Sequence, residues 1–160
     1  YYKNKESIFR AVLLDEMQQF LSAANENLEN ITECRERILT YFEGRFQFTR
    51  NLANLNNLTF ETFQKNQSLF FDVFRETNEM ESRFLEALIQ RCIDDGELKD
   101  CDAARVSQSL IDLNCAMKNA AHVEAEYSIE HKVDLDELMD NILFTTGLIL
   151  DGLVTTRQEG

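Results

Sequence analysis

The chain has 160 residues, enough for one domain with a sizeable core. Hydrophobic residues make up 44% and charged residues 28%, an ordinary globular balance, and proline is absent, which favours long helices over the turns of sheet-rich folds. A net charge of −13, from 29 acidic against 16 basic residues, speaks against a duplex-binding surface within this chain, because neutralising phosphates requires clustered Lys and Arg.

The first helix is expected to start at Asn4, a good N-cap, with Lys5 as its first helical residue and Glu6 at the positive end of the dipole. Apolar residues recur at Phe9, Val12, Leu13, Met17, Phe20 and Leu21, which is helical spacing with one buried face, and the polar stretch 25–30 closes it. A second helix over about 31–42 carries Ile31, Cys34, Ile38, Tyr41 and Phe42 on one stripe and is expected to end at Gly44. A short helix over about 46–55 follows and breaks in the Asn-rich stretch 54–57. Thr59 can cap a long helical region reaching 94–95, as one helix or as two with a break in the polar patch 76–79, and Gly96 stops it as a C′ residue.

Asp100 can cap the next helix, to about 126, whose apolar stripe is Val106, Leu110, Leu113, Met117 and Ala121. Asp134 and Glu137 are spaced as a capping box for the last helix. From Ile142 to Val154 that helix is apolar on more than one face and must be buried on two sides. Its own core can cover one side, and a second copy of the chain is the simplest cover for the other. Gly147 and Gly152 inside this helix each cost about 1 kcal/mol relative to Ala, which implies close backbone approach or a tightly packed turn. Cys34, Cys92, Cys101 and Cys115 are scattered, with no Cys-x-x-Cys pair, and read as reduced, partly buried thiols of a cytoplasmic protein. No internal repeat, signal peptide or apolar run of about 20 residues occurs, so one all-α domain of five to seven helices, spanning no membrane, accounts for the chain.

The opening residues Tyr1-Tyr2-Lys3-Asn4-Lys5-Glu6-Ser7-Ile8-Phe9 resemble a junction in the tetracycline-repressor-like (TetR) transcriptional regulators. There an aromatic pair ends the recognition helix of a helix-turn-helix, and a capped helix with a Lys and an acid follows. Ile93-Asp94-Asp95-Gly96-Glu97-Leu98 resembles that family's acidic Gly-Glu-Leu turn, and the Asp100-capped helix and the final helix with Gly152-Leu153 resemble its last two helices. The resemblance implies that 1–3 is a remnant of the recognition helix and 4–160 an effector-binding and dimerisation domain. It implies DNA-backbone contacts from Tyr1, Tyr2 and Lys5, operator DNA otherwise being reached only through a missing N-terminal domain. It implies a homodimer in which the last two helices form a four-helix bundle with their counterparts, through Leu110, Met117, Ala121, Leu138, Ile142, Thr145, Ile149 and Leu153.

Eight of the twelve phenylalanines fall between Phe42 and Phe74. They make either a packed core or an aromatic-lined cavity, and the resemblance implies the latter, for a small apolar or aromatic effector. The expected lining is Phe42, Phe46, Phe63, Phe70 and Phe74, completed by Met17, Phe20, Met80, Phe84, Met117 and the polar pair Asn114 and Lys118. A buried Asn114 needs a partner, and a ligand is one candidate. His122 and Glu126 stand four residues apart but supply only two ligands to any metal, and His131 sits in a polar loop. No phosphate loop, catalytic triad, Cys-His pair or repeated Glu-x-x-His motif occurs, so neither catalysis nor a cofactor or metal is expected. The resemblance implies transcriptional regulation, most simply repression, in which a ligand shifts the population of core arrangements and moves the helix that leads to the DNA-binding head. The alternative is a helical dimerisation or protein-interaction module without a ligand, which requires the Phe-rich region to be packed solid.

Overall fold

The computed structural model describes residues 5–56, 67–127 and 133–155, with side chains over 7–51, 72–121, 123 and 133–155. Five helices make up the described residues: α1 (Lys5–Leu28), α2 (Cys34–Asn56), α3 (Gln67–Asp94), α4 (Ala103–Tyr127) and α5 (Leu135–Leu153). The fold is all-α, as the pattern predicts. α3 packs against α4 and α1, α2 packs against α5 and α1, and α5 also lies on α4.

Val12 is 48% exposed, and on α4 the buried face is Ala103, Ser107, Leu110, Ile111 and Asn114, with the expected Val106, Leu113, Met117 and Ala121 half-buried; α1 and α2 otherwise bury the stripe that their spacing marks. On α1 this is Leu13, Met17, Leu21, Ala24 and Leu28, and on α2 it is Cys34, Ile38, Tyr41, Phe42 and Phe46. These residues meet Leu85, Ile89, Cys92, Leu110, Ile111 and Leu150 in the main core, while Phe46, Leu138 and Ile142 form a second, smaller cluster.

Gly44 does not end a helix. α2 runs through it to Asn56, so the segment expected as a separate helix over 46–55 is the second half of α2. Among the described residues only Gly96 has a glycine's positive φ, at 74°. A Cβ on Gly44 would lie 3.7 Å from Phe20, so the residue faces α1 across the bundle. Burial of Phe42 and Phe46 on the adjoining turns outweighs the roughly 1 kcal/mol that an interior glycine costs.

The polar patch 76–79 does not break α3 either. Val73, Thr77, Glu81, Leu85 and Ile89 recur every fourth residue on the buried side, and Glu76 and Glu79 fall on the outer side. Glu76 there pairs with Arg10 of α1. The cap expected from Thr59 lies outside the described residues. Gly96 does stop α3: its N–H donates to Ile93 O at 2.9 Å, and that of Glu97 donates to Cys92 O at 2.9 Å. The cap of α4 is Asp102 rather than Asp100. Its Oδ1 accepts from the Arg105 N–H at 3.0 Å, and burial of Ala103 places the first turn there. Asp134 caps α5 as expected, accepting from the N–H groups of Asp136 and Glu137, each at 3.1 Å.

The turn after α3 is tied to the end of α5 by an antiparallel bridge between Leu98 and Val154, with Lys99 N–H donating to Leu153 O at 2.8 Å and Thr155 N–H to Glu97 O at 3.0 Å. Of the two glycines in α5, Gly147 meets a close neighbour: an added Cβ would lie 2.9 Å from the Arg35 guanidinium, which is itself held by Asp151 at 2.5 Å. Gly152 has open space and gives no support to a close approach.

Cys34 and Cys92 are joined as a disulfide, against the expectation of four reduced thiols, while Cys101 and Cys115 are free. The two half-cystines are 58 residues apart in sequence, so no local motif announces them. They meet because Cys34 opens α2, Cys92 lies in the last turn of α3, and the packing brings their Cα atoms to 5.7 Å. Glu97 reinforces the corner by accepting the Cys34 N–H at 2.7 Å. Thiol titration of the unfolded, unreduced chain should find two of the four cysteines, and reduction should cost about 2–4 kcal/mol of stability. Four titratable thiols would contradict the crosslink.

Candidate functional site

The buried stripe of α2 continues from Ile38, Tyr41 and Phe42 to Arg45, a charge where the pattern otherwise places hydrocarbon. The stripe of α3 does the same at Glu81, which is completely buried. The two form an ion pair in the interior. The Tyr41 hydroxyl donates to Glu81 Oε1 at 2.9 Å, and Arg45 Nη2 donates to Cys115 Sγ of α4 at 3.8 Å. Glu81 Oε2 is buried without a hydrogen-bond partner among the described residues. One turn along α4 from Cys115 stands Lys118, and one residue before Cys115 stands Asn114. Asn114 donates to Leu110 O at 2.8 Å and to Thr146 Oγ1 of α5 at 3.4 Å. Three helices, α2, α3 and α4, thus send polar groups to one buried place.

Burial and then the neighbouring Glu81 charge push the Tyr41 hydroxyl well above its ordinary range, so it stays protonated and donating. Burial opposes the charge on Arg45, but Glu81 outweighs it and holds the guanidinium above its ordinary value. For Lys118 the balance falls the other way, because the opposing pulls of Cys115 and Glu81 are the smaller ones. Burial, and next the Arg45 charge, lower its ammonium from 10.5 to about 8. The cluster therefore holds two cations against one carboxylate.

An aromatic ladder lies alongside. Phe48 stacks on Phe20 with ring centroids 4.7 Å apart, Phe20 lies 6.0 Å from Tyr41, and Tyr41 stacks on Phe84 at 5.2 Å. Phe20 is the contribution of α1, and Tyr41 belongs to both ladder and charge cluster.

Of the expected pocket residues, Met17 and Phe42 are buried in the main core with Phe20, Met80 and Phe84 packed on it. Lys118 belongs to the charge cluster, whereas Phe46 and Met117 sit in the smaller cluster with Leu138 and Ile142. Phe74 is 45% exposed, and so lies on the surface. Phe63 falls outside the described residues, and the side chain of Phe70 is likewise not described. Asn114 is satisfied by Leu110 and Thr146 and needs no ligand to complete it. Tyr41, Arg45, Glu81, Cys115 and Thr146 belong to the site although the sequence pattern does not single them out for it; the available signal was a charge on an otherwise apolar stripe. Tyr1, Tyr2 and His131 lie outside the described residues, Lys5 is the first residue of α1, and the side chains of Lys5, His122 and Glu126 are not described. Among the described residues no group of three or more His, Cys, Asp or Glu is placed to hold a metal ion, and no helix is long and apolar enough to cross a membrane.

The second notable surface is on α5. Phe144 is 66% exposed, Leu148 56% and Ile149 38%, and on α4 Ala116, Ala120 and Val123 are exposed as well. A groove lined by Val106, Leu110, Ile149 and Leu153 opens onto the same face. Of the residues expected at a subunit interface, Leu110, Leu138 and Ile142 are buried within the chain, Met117, Ala121, Thr145 and Leu153 are half-buried, and Ile149 is exposed.

No protein-family model matches the sequence, and no curated protein matches it. A solved structure does share its fold: a transcriptional regulator from Cytophaga hutchinsonii, with a TM-score of 0.79 at 21% sequence identity, over 97% of this chain and 79% of that one. Nearly the whole described bundle therefore has a counterpart of the same helical architecture.

The unpaired ammonium has a consequence for stability. A base whose folded pKa lies below its unfolded value weakens the fold at every pH at which it is charged, and the loss is relieved as pH rises from the folded towards the unfolded value. For Lys118 that window opens near pH 8 and is closed near 10, where the unfolded chain ionises its tyrosine more readily than Tyr41 does in the fold. Lys118→Met should thus stabilise the protein at pH 7, by on the order of 1–3 kcal/mol, and flatten a rise in stability between about pH 8 and 10. Denaturant unfolding measured across pH checks this, and a variant less stable at pH 7 would refute it.

Proposed function

We propose that this chain is the effector-binding and dimerisation domain of a TetR-type DNA-binding transcriptional regulator. The observation that carries the reading is the exposed apolar strip of Phe144, Leu148 and Ile149 on α5, in a fold shared along almost its full length with a solved transcriptional regulator. Each such side chain gains roughly 1.5–3 kcal/mol when removed from water. A second copy, packing its α4 and α5 on this pair about a two-fold axis, supplies the matching face. The opening residues, with their resemblance to the junction after a recognition helix, give α1 its role as the lead to a DNA-binding head.

In this reading the buried cluster and its ladder are where an effector acts. A ligand preferring one arrangement of the rings shifts the population of bundle states, and Phe20 passes the shift to α1. Tilting α1 in both subunits changes the spacing of the two heads over successive major grooves, and with it operator affinity.

One observation favours the second reading, a dimerisation module without a ligand. The rings of Phe20, Phe48, Tyr41 and Phe84 touch one another, and the grooves found along α1 and between α4 and α5 are both open to the surface. An effector would have to part these rings to enter.

Sedimentation of the chain should give a dimer, and Phe144→Glu combined with Leu148→Glu should give a folded monomer. The full-length gene product should retain specific duplex fragments of its own genome with a strong salt dependence, whereas the 160-residue chain alone should retain none. A full-length protein indifferent to DNA sequence, or a chain monomeric at high concentration, would remove the reading.

A further inference from the structure

The buried cluster is incomplete in a way that its own residues do not mend. Lys118 has no ion-pair or hydrogen-bond partner among the described residues. The carboxylate of the cluster, Glu81, is already engaged by Arg45, and Glu81 Oε1 takes the Tyr41 hydroxyl. Arg45 in turn reaches the sulfur of Cys115, one helical turn from Lys118, so the two cations share one neighbourhood. Tyr41, which donates to Glu81, also belongs to the run of rings with Phe84, Phe20 and Phe48, and that run supplies no anion. An ammonium placed in such surroundings without a counter-ion is costly, and a protein commonly avoids it by pairing the charge or substituting the residue.

We infer that the cluster is the head-group site of a small organic monoanion, a carboxylate carrying an alkyl or aryl body. The carboxylate pairs with Lys118 and the outer edge of the Arg45 guanidinium, and the body lies among the rings. This assignment rests on the effector reading above and names the chemical class of the effector. Charge selects the class. Two cations and one carboxylate leave a single positive charge, which a monoanion cancels. A neutral ligand leaves Lys118 unpaired, a cation adds to the excess, and a dianion reverses it. The aromatic ladder selects the body: stacked rings accept flat or flexible apolar groups and offer little to a polar chain. Entry between Phe20 and Phe48, stacked at 4.7 Å, displaces a ring carried by α1, so that filling the site and moving α1 are one event.

The test uses octanoate and 4-phenylbutyrate, each against its own primary amide, with binding followed by calorimetry and thermal shift. The proteins are the wild type, Lys118→Met and Lys118→Arg. Wild type should bind at least one acid about tenfold or more tighter than its amide, the discrimination expected of a desolvated charge-assisted contact. Lys118→Met should lose that preference, and Lys118→Arg, which keeps the charge, should retain most of it. Because Lys118→Met is expected to be the more stable protein, its loss of binding cannot be ascribed to unfolding. Amides binding as tightly as acids would overturn the anionic class and leave the effector reading standing. Acid binding unchanged in Lys118→Met would overturn the role of Lys118. Binding of none of these compounds would overturn the head-group site itself, while dimerisation and DNA retention by the full-length protein would still decide the regulator reading.

Discussion

The ion pair between Arg45 and Glu81 is the constraint around which the bundle is arranged. Apolar helices can slide or rotate past one another at modest cost, because one methyl contact replaces another. A completely buried carboxylate cannot, since losing its partner leaves a bare charge in a medium that solvates it poorly. The pair therefore sets the register of α2 against α3, and the Tyr41 hydroxyl, kept protonated by burial and by the Glu81 charge, completes the carboxylate oxygen that faces α2. The disulfide between Cys34 and Cys92 holds the same two helices at the far end, eleven residues from each of the paired side chains along its helix. The α2–α3 unit is thus fixed at two points, by charge in the middle and by a covalent bond at its end.

The other helices join that unit through their buried apolar faces, with Leu13, Met17, Leu21, Ala24 and Leu28 on α1, and through polar ties at the surface. α1 meets it through the face of Phe20 and through the exposed pair of Arg10 with Glu76, an interaction that water and salt screen. α5 is tied at its end to the turn after α3 and along its length by Arg35 with Asp151, while Thr146 hydrogen-bonds Asn114 inside. Lys118 adds a second cation near the pair, and α5 carries the exposed strip of Phe144, Leu148 and Ile149.

Much of the architecture was legible in the residues, because helical periodicity and end signals are local. Most of the α1 stripe, the stop at Gly96 and the cap at Asp134 follow from spacing and from the chemistry of helix ends, whereas polar Ser107 and Asn114 on the buried face of α4 hid its true register. Gly44 misled because a glycine reads as a terminus when only its own propensity is weighed, and burial of Phe42 and Phe46 on either side decides otherwise. Asp100 and Asp102 are equally good caps in isolation, and burial of Ala103 chooses between them. The disulfide was hidden for a different reason: its halves are brought together only by tertiary packing, so no spacing reveals it.

The candidate site was legible in part. Lys118 and Asn114 stand out as polar residues on an apolar stripe, whereas of the phenylalanines concentrated in 42–74 only Phe48 stacks in the ring ladder among the described residues. Asn114 proved to be satisfied by its own helix and Thr146, and Phe74 faces outward, because the face a residue occupies depends on where its helix docks. Arg45 and Glu81 went unseen as partners, since a lone charge within a helical pattern is indistinguishable from a solvated one until the opposite helix is placed.

The central claim, that buried charge sets the register of the bundle, is tested most directly by a double-mutant cycle in denaturant unfolding with Arg45→Met, Glu81→Leu and the combined variant. Each single change should cost about 3–5 kcal/mol, because it strands the other charge, while the double variant should recover most of that loss. Small, additive losses would show that the two groups do not depend on one another and would contradict the account.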